Sequence, residues 1–178
     1  EAYGCALLED FVTEYGTRLD GSLTHPAWDA RARLLAYFAD WQRKQVSPDP
    51  AERCLIVKLS AEIADLSPDM SRILRDGVES ITGRLAATLR EGLADGSIAA
   101  IDDPEATAEA IYHLWLGASL VASLAHDDAA LIAARRLTDG LDAEAQGWLE
   151  NVVVVFVPTQ NPDGRERFIN SFEAGLGA

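Results

Sequence analysis

A chain of 178 residues with 48% hydrophobic and 25% charged side chains has the size of one ordinary domain and buries roughly two-thirds of its unfolded surface, which excludes a disordered or fibrous protein. Its 15 basic residues stand against 29 acidic ones, a formal charge of −14. That balance excludes nucleic-acid binding by this polypeptide on its own, because phosphate backbones are held by clustered Lys and Arg that release counterions.

Leu7, Leu8, Phe11, Val12 and Tyr15 form an apolar stripe with acidic residues between them, which predicts a helix over 2–21. Thr24 and Pro26 mark the entry of a second helix, with Trp28, Leu34, Leu35, Phe38 and Trp41 on one face before the Ser47-Pro48-Asp49-Pro50 loop. A third, over 51–65, carries CLIVKLSAEIA. Ser67-Pro68-Asp69 stops it and caps the fourth, over 68–95, whose stripe runs through Met70, Leu74, Gly77, Ile81, Leu85 and Leu89 to an exit at Asp95-Gly96. Asp103-Pro104-Glu105 opens the fifth with the same capping logic. From Ala110 to Ala125 it is apolar nearly all round, too short for a bilayer span and written as a buried helix.

The sixth, about 128–140, alternates Leu131, Ile132 and Leu137 with Arg135 and Arg136, which read as a solvated rim. Helices joined by short, Pro-marked connections make residues 1–140 an all-α bundle, since each apolar stripe must be buried against another helix. Residues 141–178 follow a different grammar. Ala143–Glu150 reads as one more short helix, and Val152–Val157 as a strand buried on both faces, which belongs in a parallel sheet this chain does not supply.

Cys5 and Cys54 match no metal or redox spacing, so a reduced, intracellular chain is expected, and no signal peptide is read. Cys5 reads as plain core. Cys54 starts a predicted helix with Arg53 before it and Lys58 one turn on, a setting that favours thiolate; it is either a reactive thiol or a small buried residue. Phe11, Phe38, Trp41, Tyr112 and Trp115 either line an apolar cavity between helices or are only core. His113 is either a satisfied core histidine or a polar contact that orients a ligand. Gly117, Ala118 and Ala122 give the fifth helix a smooth side suited to close helix approach.

The stretches EAYGCALLEDFV, AERCLIVKLSAEIADLSPDMSRILRDGVESITGRLAATLREGLADGSI and DPEATAEAIYHLWLGASLVASLAHDDAALIAARRL resemble the ligand-binding and dimerisation region of the tetracycline-repressor (TetR/AcrR) regulators, in particular their quinone- and electrophile-responsive branch. The resemblance implies a cytoplasmic homodimer and a non-enzyme without cofactor. It implies a small hydrophobic or electrophilic ligand near Phe11, Phe38, Trp41, Cys54, Tyr112, His113 and Trp115, with Cys54 as the sensing thiol. It also implies a dimer interface from the fifth and sixth helices, at Gly117, Ala118, Ala122 and Leu131. A DNA-reading helix-turn-helix precedes this region in the family; EAYG resembles the start of the connecting helix beyond it. DNA would then be reached only through a part that is missing here, and an inducer or modification of Cys54 would shift the helices away from the operator-compatible arrangement.

The tail VVVVFVPTQNPDGRERF is similar to a strand and loop of the zinc carboxypeptidases, through Pro158, Asn161, Pro162, Asp163, Gly164, Arg165 and Glu166. The resemblance implies a catalytic zinc held by two His and a carboxylate, of which the first two ligands in that family come from a His-x-x-Glu stretch. The residues three after His25, His113 and His126 are Trp28, Leu116 and Ala129, so no metal site is expected and the tail reads as a foreign, inactive fragment.

Overall fold

Helix boundaries follow from local capping chemistry. The computed structural model describes residues 2–49, 56–57, 67–99 and 101–140. Among them lie five helices: α1 (Ala2–Leu23), α2 (Ala30–Gln45), α3 (Pro68–Asp95), α4 (Pro104–Ala125) and α5 (Ala129–Asp139). Ser67 Oγ accepts the Met70 amide at 3.3 Å ahead of Pro68, and Asp103 Oδ1 accepts the Ala106 amide at 3.0 Å ahead of Pro104. Each cap satisfies an otherwise orphaned first-turn N–H, and the proline that follows has none to lose. Gly96 and Gly140 close α3 and α5 in the left-handed region, at φ 78° and 53°.

The second helix begins later than its sequence signals suggest. Thr24 and Pro26 lie in a turn, and Asp29 is the true cap, accepting the Ala32 amide at 2.7 Å. Trp28 therefore precedes the helix, stacks on His25 at 4.4 Å and stays 47% exposed instead of joining the apolar face. Of the helix predicted over 51–65, Ile56 and Val57 are described; both are helical and Ile56 is buried. No strand occurs among the described residues, and the tail from 141 onward, with its predicted strand and carboxypeptidase-like loop, lies outside them.

The bundle is organised around α3, which packs against α1, α2 and α4, while α5 closes over α4 and α2. One core runs through Leu8 and Leu19 of α1, Phe38 and Trp41 of α2, Ile81, Leu85 and Leu89 of α3, Tyr112 and Trp115 of α4, and Leu131 of α5. Cys5 is half-buried against it. α4 is long and apolar enough by length and composition to cross a membrane, yet its inward side from Ala108 to Ala122 is part of this core.

Polar ties fix α1 at its far end. Arg84 of α3 holds Asp20 through Nε at 2.6 Å, and this hydrogen bond keeps the Asp20 carboxyl below the usual carboxylate range. Arg33 of α2 donates to the Leu23 carbonyl and pairs with Glu91 at 2.7 Å, joining α1, α2 and α3.

At Gly77 a Cβ would come within 2.9 Å of Val12 Cγ2, so α1 and α3 approach at a distance only glycine allows. Gly77→Ala is expected to cost about 1–3 kcal/mol of overpacking, offset by about 1 kcal/mol of helix propensity, for a net loss measurable by urea denaturation. Gly83 of the same helix has nothing within 4 Å of that position, so Gly83→Ala should raise stability instead.

Candidate functional site

Four helices leave a space unfilled where their ends converge. A cavity of about 460 Å³ lies between Leu34, Leu35 and Phe38 of α2, Leu85 and Leu89 of α3, Ala108 and Ile111 of α4, and Thr138 and Asp139 of α5. The α3–α4 connection forms the remaining wall with Ser97, Ile98, Ala99 and Ile101. Ile98 can fold inward because Gly92 has no side chain: a Cβ there would sit 2.4 Å from Ile98 Cδ1. The volume falls in the range of small-molecule pockets, and its walls are mainly aliphatic.

Arg31 is the exception. It occupies the apolar stripe of α2 at the spacing 31, 34, 35, 38, with its side chain at the cavity. Its Nη2 donates to the Asp139 carbonyl at 2.6 Å. The Asp139 carboxylate is engaged by Arg135 Nε at 2.8 and 2.9 Å, so Arg135 belongs to this end of the bundle more than to a solvated rim. Arg136 is exposed, as its place in the sequence suggests.

The predicted aromatic lining divides. Phe38 does face the cavity. Trp41, Tyr112 and Trp115 instead interlock behind it, with Phe38–Trp115 centroids 4.8 Å apart and Trp41–Tyr112 5.5 Å. Both indole N–H groups are spent internally: Trp41 Nε1 donates to Ser119 Oγ and Trp115 Nε1 to Thr138 Oγ1, each at 2.9 Å. These three side chains are core. Phe11 lies across the bundle with Val12, Ile56 and Gly77, beside a crevice of about 10 Å³ that holds at most a water.

His113 is corrected outright. One residue on from Tyr112, it is turned by about 100° and is exposed, so it is neither a core histidine nor a group at the cavity. Ala118, Ala122 and Leu131 are buried within the chain at 0%, 7% and 0% exposure, so they are unavailable to a partner as the structure stands. The outward stripe of α4 is instead His113, Gly117, Leu120 and Leu124, with Leu120 45% and Leu124 72% exposed and Ile132 of α5 40% exposed. Cys54 lies outside the described residues. Among those described, no three His, Cys, Asp or Glu side chains converge as a metal site.

A second hollow of about 410 Å³ is lined by Gln45, Val46, Ser123, His126, Asp127 and Asp128, where α2 ends near the α4–α5 turn. It is polar and open, with the side chains of Asp127 and Asp128 on its wall.

The family model described as "Tetracyclin repressor-like, C-terminal domain" matches residues 30–138, from the first residue of α2 to the last but one of α5. The chain belongs to the tetracycline-repressor family. Its relatives include the HTH-type transcriptional repressor NemR of Escherichia coli K12, 34% identical over 124 residues, which are 70% of this chain and 62% of NemR. The transcriptional regulator AcuR of Cereibacter sphaeroides is 30% identical over 122 residues, 68% of this chain and 56% of AcuR. The chain thus spans less than two-thirds of the curated relatives it matches. The crystal structure of E. coli NemR in its reduced form superposes with a TM-score of 0.74 at 32% identity, covering 79% of this chain and 72% of that one. A TetR/AcrR family member of known structure gives 0.69 at 37% identity, covering 79% and 73%. These relatives are transcriptional regulators and not enzymes, and the matched span in this TetR-family chain holds Arg31, the outward stripe of α4 and α5 and all of the cavity wall except Asp139 and Gly140.

Among the cavity residues that sequence reading passed over are Arg31, Ser97, Ile98, Ile101 and Thr138. For four of them no local signal exists, because helix ends distant in sequence meet there. Arg31 did carry one: a cation in an otherwise apolar i, i+3, i+4, i+7 stripe.

Proposed function

We propose that this chain is the ligand-sensing and dimerisation part of a cytoplasmic TetR-family transcriptional repressor, and that the cavity between α2, α3, α4 and α5 is its effector site. The observation that carries the reading is the cavity itself: packed helices normally fill the space between them, yet here an aliphatic, partly open space of about 460 Å³ persists, and all of its wall but Asp139 and Gly140 falls in the span that matches the family. A helix-turn-helix ahead of α1 would read the operator, in keeping with an acidic chain of net charge −14 that suits no phosphate backbone by itself. α1 would carry the signal. Arg84–Asp20 and Arg33 tie its end to α3 and α2, so an effector that repositions those helices also repositions α1.

Cys54 extends the reading to electrophiles and oxidants. Its neighbours in sequence, Arg53 and Lys58, favour thiolate, and the relative NemR has a crystal form described as reduced. Dimerisation would bury Leu120, Leu124 and Ile132, which otherwise stay in water.

Thermal unfolding with and without small apolar compounds tests the proposal. A compound present at about a hundred times its Kd should raise Tm by about 5–10 °C. Ile111→Trp, which fills the cavity from its half-buried wall, should abolish the shift while leaving the unliganded protein folded. A dimer that responds to no compound in either form would make the chain an interaction module instead. For the thiol, a maleimide should alter the melting curve of Cys5→Ser, in which Cys54 is the remaining cysteine, and not that of the double variant Cys5→Ser/Cys54→Ser.

A further inference from the structure

Arg31 is an expensive residue where it stands. It lies in the first turn of α2, at the positive end of the helix dipole, where the carboxylates of Asp29 and Asp95 are engaged by the backbone amides of Ala32 and Ala30. The two arginines of the turn differ in their surroundings: Arg33 is paired with Glu91 at 2.7 Å, whereas no carboxylate pairs with Arg31 among the described residues. The Asp139 carboxylate is occupied by Arg135, and Arg31 receives from Asp139 only the backbone carbonyl, through one of five guanidinium N–H groups. The amides around it are spent as well. Ala30 N donates to Asp95 Oδ2 and Arg31 N to Ser97 Oγ, while the half-buried guanidinium keeps N–H groups that meet no acceptor among the described residues.

From this we infer that the cavity takes a small apolar molecule bearing an anionic head, a carboxylate or a group of like charge, with Arg31 holding the head and Leu34, Leu89 and Ile111 enclosing the tail. The inference rests on the proposal that the cavity is the effector site and adds the ligand's chemical class. The guanidinium supplies what such a head requires: two parallel donors in a fixed plane, at the edge of a low-dielectric space where a charged hydrogen bond is roughly twice as strong as a neutral one. The overall field of the protein works the other way. With a net charge of −14 it repels anions and concentrates cations, so selectivity for an acid can only be a local property of this corner.

Isothermal titration of the full chain with octanoate, octanamide, octanol and octylamine tests this. Octanoate should bind at least about 10-fold more tightly than either neutral analogue, and octylamine most weakly. Arg31→Gln should erase the preference for the acid and leave octanol affinity within about two-fold, which separates loss of the head contact from loss of the α2–α5 tie to Asp139. Arg31→Lys keeps the charge without the planar fork and should retain part of the preference, so the point stands even if the glutamine variant folds poorly. Equal affinity for octanoate and octanamide, a preference that survives Arg31→Gln, or tighter binding of octylamine would overturn the inference while leaving the effector-site proposal intact. Binding of none of the four would overturn both.

Discussion

Trp115→Ala should lower the unfolding free energy by about 3–5 kcal/mol, the largest loss expected of any single truncation in the described core. Trp115 is fully buried, stacks on Phe38 at 4.8 Å, lies 6.1 Å from Trp41 and ties α4 to α5 through Thr138. Against a typical total of about 5–15 kcal/mol, the variant would be partly unfolded at ambient temperature. Urea denaturation followed by far-UV circular dichroism measures it. Trp115→Phe keeps most of the ring packing and gives up only the hydrogen bond and part of the volume, so it should lose less than half as much. The comparison also separates a core residue from a pocket wall: a wall tryptophan would show modest destabilisation and a large change in ligand affinity.

The second large effect is on assembly. Leu120 and Leu124 lie one turn apart on α4, with Ile132 of α5 exposed as well. Burial of each leucine in a two-fold interface contributes about 1.5–3 kcal/mol, so the double variant Leu120→Glu/Leu124→Glu should weaken a dimer by more than about 100-fold. Light scattering on a size-exclusion column would then show a monomer where the parent shows a dimer. Ala118→Glu gives the contrast. Ala118 is fully buried within the chain, so a carboxylate there should unfold the bundle and not merely split it. If the double variant remains dimeric, the two-fold contact lies elsewhere and the α4–α5 proposal falls.

How far the site could be read in advance depended on what each residue was asked to reveal. Ser67-Pro68 and Asp103-Pro104 announce helix starts because an N-cap is a contact between residues two or three apart, and both caps form. Thr24 and Pro26 carry the same residue types and failed as a helix entry, since Asp29 offers a cap closer to the apolar run. For α4, a sequence apolar nearly all round signals burial without showing which side is inward. The small residues predicted together are therefore divided: Ala118 and Ala122 pack inside, while Gly117 lies on the stripe with His113, Leu120 and Leu124 that faces out. The aromatic residues illustrate the same limit, because a ring at helical spacing reads alike whether it fills a core or walls a cavity.

The sequence alone determined the all-α class, most of the helix boundaries and the family, because these follow from periodicity, caps and stretches of residue pattern that survive without knowledge of contacts. Only the tertiary structure decided where the space lies and what lines it. The cavity exists because Arg31, Leu89, Ile98, Ile111 and Thr138, spread over more than a hundred positions, meet where four elements end, and because Gly92 lets Ile98 turn inward. No local spacing encodes such a meeting. It is the residue of imperfect packing among helices, and packing is settled only when all of them are in place.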